Sequence, residues 1–428
     1  MQNFLANKLK CFLPFIFFLM AFFVFQKNIF NTVNKDFFDS FQKDSEALVV
    51  GGIVADELGI EKNAWGLGFI GMNGEFQYPN NIMDSYEAFS NKEKALNAIY
   101  SPYVSQVGGL GVFYSTLQKV FSFKSISRLQ YFPSAIFAFL VVAFYYLHRR
   151  IYGARYALIF SLVLVLSPWV VSFARNLYWS PFMWLLPLFF GTLAYAVTSP
   201  KVRIFFYFLI FISFFAKCLS GYEYITSITL LACSPFMLGP FFNGESKPCM
   251  KPALIVFVLC VLGFICAFVI HAKMRGETIA EGVVAIYKQD VKRRTYSDPS
   301  NFDAAYAESL STSPIAVVKT YVTSWRTPLV AEVSGKSFKV LIIIAILGLW
   351  IKKKIKHKTF VRDFALIAYM SLIPLSWYVM AKGHSHIHTH MNYVLWYLGF
   401  VPALFYVCVN AIVVTFKAVP QYIKSLNP

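Results

Sequence analysis

Two carboxylates, Asp44 and Glu46, stand two residues apart in KDSEALVVGG (43–52), about twenty residues beyond the first long apolar run of a chain with only 21 Asp and Glu. A carboxylate held where lipid meets water can take the proton of an attacking hydroxyl as a general base. The same residues open a run with apolar positions at Ala47, Val50, Ile53, Val54 and Leu58, the three- and four-residue steps of a helix. At the start of such a helix Asp44 would also serve as an N-cap, and Glu46 as a favourable charge near the positive end of the helix dipole. Both readings stand on the sequence. A second acidic pair, Asp56 and Glu57, falls near the end of the helix and is expected to face water.

Other polar groups gather at the ends of apolar runs. Lys217, Tyr222 and Glu223 lie in FFAKCLSGYEYIT, Arg175 in SFARNLYWSPF, and His271, Lys273 and Arg275 close another run. Lys382 precedes four histidines, His384, His386, His388 and His390, in AKGHSHIHTHMNY. Any one of them could simply snorkel to the headgroups. Gathered on one side they suit an anionic lipid phosphate, to which Arg and Lys offer charge-assisted hydrogen bonds. The histidines would share one face if extended, or form two i,i+4 pairs on a helix. No H-E-x-x-H accompanies them, and a loop of histidines can hydrogen-bond substrate hydroxyls or phosphate. No metal and no other cofactor is expected, and no Walker loop, G-x-G-x-x-G or G-x-S-x-G occurs in a suitable context.

The elements that must position these groups follow from composition. The 428 residues are 57% hydrophobic and 14% charged. Repeated apolar runs of roughly 18–22 residues, enough to cross about 30 Å of hydrocarbon, make an all-α polytopic membrane protein. Ten spans are expected, near 11–27, 131–147, 156–174, 180–198, 204–221, 224–242, 252–272, 338–351, 363–380 and 392–413. Lys8 and Lys10 precede the first, but no small-residue cleavage site follows it, so an uncleaved anchor is the better reading.

The formal charge of +18 is distributed by topology. With a cytoplasmic N-terminus, residues 28–130 and 275–337 lie outside and hold 18 of the 21 acids and 16 of the 39 Lys and Arg. Seventeen of the other 23 Lys and Arg fall in the termini and short inner loops, a positive-inside bias that needs no nucleic acid to explain it. The seven cysteines all lie outside the two large segments, which leaves no disulfide framework to read there.

The chain therefore divides into 1–27 (N-terminus and first span), 28–130 (first outer segment), 131–274 (six spans), 275–337 (second outer segment) and 338–428 (three spans and C-terminus). In the first outer segment, interfacial helices are expected near 47–58 and 100–121, with an irregular loop over GLGFIGMNGEFQYPNN (66–81). In the second, 279–296 mixes helical periodicity with basic residues. No inverted repeat of the transporter kind is found.

An anchor span, an outer segment opening with D-x-E, and many spans with polar outer ends resemble the GT-C class of membrane glycosyltransferases. More narrowly, the layout resembles the bacterial enzymes that decorate O-antigen of lipopolysaccharide, or other surface glycans. The strings DSEALVVGGIVADELG, YVSQVGGLG, FARNLYW, GYEYIT and KGHSHIHTHMNYVLWY carry the resemblance. The motif is D-x-E where the arabinose- and mannose-transferring relatives have adjacent D-E, so Asp44 and Glu46 both remain candidates. The resemblance implies a sugar donor on a polyprenyl phosphate and an acceptor hydroxyl on a glycan or lipid. Asp44 would take the acceptor's proton, with Glu46 orienting it or sharing the task. Arg175, Lys217, Arg275, Arg293 and Arg294 would meet the charge growing on the lipid phosphate. Gln106, Tyr222, Glu223, His384, His386 and His388 would read hydroxyls of sugar and acceptor.

Resemblance and topology together imply a bacterial inner membrane, with both termini cytoplasmic and the site periplasmic. The competing readings are an O-antigen polymerase or ligase, whose main outer loop usually comes later in the chain, and a polar-lipid flippase, which would need charges near the midplane.

Overall fold

The computed structural model describes residues 2–95 and 97–426, with side chains from 12 to 416 apart from 73, 96 and 305. Lys8 and Lys10, which flank the expected anchor, fall outside the described side chains. The fold is mostly helical, and helices occupy each of the ten apolar stretches. Five are long and apolar enough to cross a membrane: Ile126–Ile151, Pro200–Leu219, Ile225–Phe242, Met250–Arg275 and Phe360–Met380. Two further stretches, expected as single spans at 156–174 and 392–413, are broken. Ala154–Leu166 and Pro168–Ala174 meet at 66°, and Thr389–Tyr397 and Phe400–Phe416 at 49°. The first break has a local cause. Ser167 leaves helical geometry, its side chain accepts the Val170 N–H at 3.2 Å, and Pro168 begins a new helix where its missing N–H costs nothing. The helices Phe12–Lys27 and Pro181–Ala196 are shorter, and Ser337–Lys354 ends in three lysines.

The first outer segment packs more deeply than its sequence suggests. The helix Lys43–Leu58 buries every residue from Glu46 to Ala55, so it is a core element and not one lying half-exposed at an interface. The helices Asn80–Ser90 and Gly109–Phe121 and a short strand cover it. That strand, β1 (Gly68–Gly71), pairs antiparallel with β2 (Ile99–Pro102). Both fall where an irregular loop or a helix start is expected. Pairing with a distant strand supplies the hydrogen bonds that GLGFIG cannot make alone, and the second helix therefore begins only at Gly109.

Glycines make this layer possible. A Cβ at Gly51 would sit 2.2 Å from the Gly68 carbonyl oxygen, at Gly52 2.3 Å from that of Gly66, and at Gly111 1.8 Å from the same Gly66 oxygen. The 66–68 segment thus threads between two helices through VVGG and GGLG.

In the second outer segment, Thr278 and Glu281 form a reciprocal capping box at the start of Ile279–Ile286. That helix then widens into one π-helical turn, Tyr287–Val291, before Lys292–Arg294. Such turns shift the faces on which later side chains emerge.

Candidate active site

The two outer segments and the ends of several apolar helices enclose a cavity of about 470 Å³. Asp44 lines one side. Glu223, Arg293, Arg294, His384, His388 and His390 line the cavity with it, as do Tyr103, Tyr178, Trp179 and Tyr306. Two carboxylates, two guanidiniums and three imidazoles from four regions of the sequence thus share one space.

The two opening carboxylates separate in role. Glu46 is 4% exposed and saturated. It accepts hydrogen bonds from Tyr86 Oη (2.9 Å), Gln130 Nε2 (3.0 and 3.1 Å) and the backbone N–H of Leu177 (3.0 Å). It clamps three segments together and leaves no lone pair for a substrate. Burial and the Glu46 charge raise the Tyr86 phenol far above its ordinary value, so Tyr86 remains a donor. Asp44 is exposed to the cavity, and its carboxylate makes no hydrogen bond or ion pair among the described residues. It is not the N-cap: the helix starts at Lys43, and Gln42 holds the cap position in a left-handed conformation with φ 53°. The Asn176 side chain donates to the carbonyls of Phe41 and Gln42, both at 3.4 Å, and so fixes the turn that presents Asp44.

The two arginines have different acidic partners. Arg294 approaches Glu223 at 4.0 Å, while Arg293 pairs with Asp290 at 3.2 Å and lies over the Tyr306 ring. Burial opposes the Arg294 charge, but Tyr103, Glu223 and Asp290 outweigh it and hold the guanidinium protonated above its ordinary value. His384 and His386 sit in the short helix Lys382–Ile387 and His390 in Thr389–Asn392, with His388 at the junction between them. Gly383 allows this turn to press against the backbone of 293–294, where a Cβ would meet the Arg293 carbonyl oxygen at 2.9 Å. The rings of His384 and His388 lie 4.5 Å apart, and those of His388 and His390 5.7 Å. Burial, followed by the neighbouring imidazoles and both arginines, pushes His384 well below its ordinary value and His388 down to about 4. Both are neutral at pH 7 and can donate or accept a hydrogen bond. Among the described residues no group of three or more His, Cys, Asp or Glu is placed to hold a metal ion.

A second, apolar cavity of about 210 Å³ adjoins the first. Phe264, Phe268, Ile286, Trp377 and Met380 form its greasy wall, and Glu223, Arg294 and His384 line both spaces. A molecule with a hydrocarbon tail and an anionic head would meet its cation at that shared wall.

Several residues singled out in the sequence stand elsewhere. Arg175 pairs with Asp39 at 2.8 Å and stacks on Phe38, anchoring the short helix Lys35–Ser40. Lys217 is buried and donates to the Gly221 carbonyl at 2.5 Å. Arg275 bonds the Val104 carbonyl and Gln289. Gln106 donates to Tyr178 Oη at 2.7 Å and so supports a cavity wall from behind. Tyr222 faces the apolar cavity, its hydroxyl 3.2 Å from His271 Nδ1. His386 turns toward Glu308, 3.5 Å away. None of the six lines the larger cavity. Tyr178 and Trp179 do, three and four residues beyond Arg175 in FARNLYW.

No protein-family model matches the chain, and no curated protein matches it. Solved structures of the Archaeoglobus fulgidus oligosaccharyltransferase share a distant likeness. One, tethered with an acceptor peptide containing the NVT sequon, gives a TM-score of 0.38 at 14% identity over 91% of this chain and 51% of that one. Another, of archaeal oligosaccharyltransferase AglB in complex with an inhibitory peptide and a dolichol-phosphate, gives 0.35 at 11% identity over 91% and 52%. The chain spans about half the length of these proteins.

Proposed function

We propose that the chain is a multi-pass membrane glycosyltransferase of the GT-C class. It would move a sugar from a polyprenyl-phosphate donor to a hydroxyl of a surface glycan or lipid, at the outer face of a bacterial inner membrane. The observation that carries this reading is the junction of the two cavities: an unengaged carboxylate faces a cationic and imidazole-lined space whose Glu223, Arg294 and His384 also wall an apolar one. The acceptor oxygen attacks the anomeric carbon while Asp44 takes its proton. The bond from that carbon to the phosphate oxygen breaks, and the lipid phosphate leaves with the electron pair toward Arg294 and Arg293. His384 and His388, being neutral, bind sugar hydroxyls without competing for the phosphate charge, and Tyr178, Trp179 and Tyr306 offer aromatic faces to the ring. No step uses a metal or other cofactor.

The test is transfer of radiolabelled sugar from undecaprenyl phosphate in membranes, with wild type and Asp44→Asn at matched expression. Loss of a base predicts a drop of about a hundredfold or more with donor binding retained. Wild-type rates in the variant would remove Asp44 from the chemistry and the glycosyltransferase reading with it.

A further inference from the structure

At the opposite end of the bundle lies another cavity, of about 550 Å³, walled by Tyr152, Arg155, Thr359, Arg362, Tyr406 and Asn410. The 21-residue helix Phe360–Met380 separates it from the site above by about 30 Å. We propose that it binds a phosphate group, carried either by the headgroup of an anionic lipid or by a soluble phosphate ester.

Both of its charged side chains, Arg155 and Arg362, are cationic. Arg155 is exposed, makes no ion pair among the described residues, and donates from Nη1 to Asn410 Oδ1 at 2.5 Å. That bond fixes the orientation of the amide, so Asn410 Nδ2 is the end left over. Asn410 is 6% exposed, and Nδ2 has no hydrogen bond among the described residues although the Tyr406 hydroxyl lies beside it. A buried donor without an acceptor is costly, which makes it a pointer to a ligand oxygen. Arg362 stacks over Phe242 and Tyr406 and is held by Asp363 at 2.9 Å, while buried Lys352 bonds the same carboxylate. Two cations thus share one acid, Arg155 has no acidic partner among the described residues, and no carboxylate lines the cavity. The helix Ala154–Leu166 starts at its wall without a side-chain cap, adding unsatisfied N–H groups and the positive end of a dipole. Two guanidiniums, an amide donor and a helix start suit the several oxygens of a phosphate. The space exceeds a bare ion and leaves room for the body that carries it.

The full-length protein in neutral detergent would be probed by native mass spectrometry and thermal shift. The probes are dioleoylphosphatidylglycerol, dioleoylphosphatidylcholine and glycerol 3-phosphate. Retention of phosphatidylglycerol with a raised Tm identifies a lipid source, and the same response to glycerol 3-phosphate alone identifies a soluble one. Either response should weaken about tenfold in Arg155→Gln and in Asn410→Leu, since each loses a bond to a charged group. Arg149→Gln, an exposed arginine outside the cavity wall, should bind as wild type. Failure of wild type to bind any anionic probe, or equal binding by wild type and both cavity variants, overturns the proposal.

Discussion

Two carboxylates two residues apart in the first turn of one helix meet opposite fates, and the difference is which way each side chain points. Glu46 turns inward to three donors, whereas Asp44 turns into the cavity. Glu46→Gln puts an amide N–H2 where three donors converge. Stability should fall by about 1–3 kcal/mol, read as a lower Tm in detergent, while any activity left scales with folded protein. Asp44→Asn should leave Tm unchanged. The histidines give a pH test. The folded-state value of His388, about 4, lies below the usual 6.5, and His384 is lowered too. The unfolded chain therefore binds more protons between those values, and stability falls as pH drops from about 6.5 toward 4. The expected loss is on the order of 1–3 kcal/mol. His388→Asn should flatten that part of the Tm profile, and an unchanged profile would show that the acid loss arises elsewhere. None of this division was legible in KDSEALVVGG, because spacing gives the face of a helix but not its partners. Gln130 and Tyr86, which engage Glu46, lie 84 and 40 residues away in sequence.

Among the elements, the apolar helices were legible because lipid-length apolar runs have few alternatives, but their straightness was not. The span expected over 156–174 breaks by 66° where Ser167 caps a new helix that begins at Pro168. The helix Lys43–Leu58 was expected at an interface because a short stripe of apolar residues looks alike whether one face or all faces are covered, whereas Gly109–Phe121 keeps Val112, Val120 and Phe121 exposed. The glycines that permit full cover act through backbone from other segments. Gly111→Ala tests this directly. Its Cβ would fall 1.8 Å from the Gly66 oxygen, a backbone atom that cannot rotate aside. Destabilisation of about 1–3 kcal/mol or more is expected by thermal melting. Gly59→Ala, at a position with nothing within 4 Å but φ 69°, should cost only about 1 kcal/mol.

For the molecule as a whole, chemistry is segregated by end. Asp44, Arg293, Arg294 and His384, His388 and His390 lie at one end of the Phe360–Met380 helix, and the lysine-rich 352–358 stretch lies at the other. In sealed cells, an impermeant thiol reagent should label Lys43→Cys from outside and leave Lys353→Cys unlabelled until the membrane is opened. The reverse pattern would invert the proposed orientation.

The wall shared by the polar and apolar cavities bears on turnover. In the proposed reaction the donor is a phosphodiester with a single negative charge, and the lipid phosphate it becomes carries nearly two at pH 7. Arg294 and its neighbours therefore hold the spent carrier more tightly than the loaded one. Product inhibition follows: a rapid first round of transfer, then a slower steady rate paced by exchange of the spent lipid.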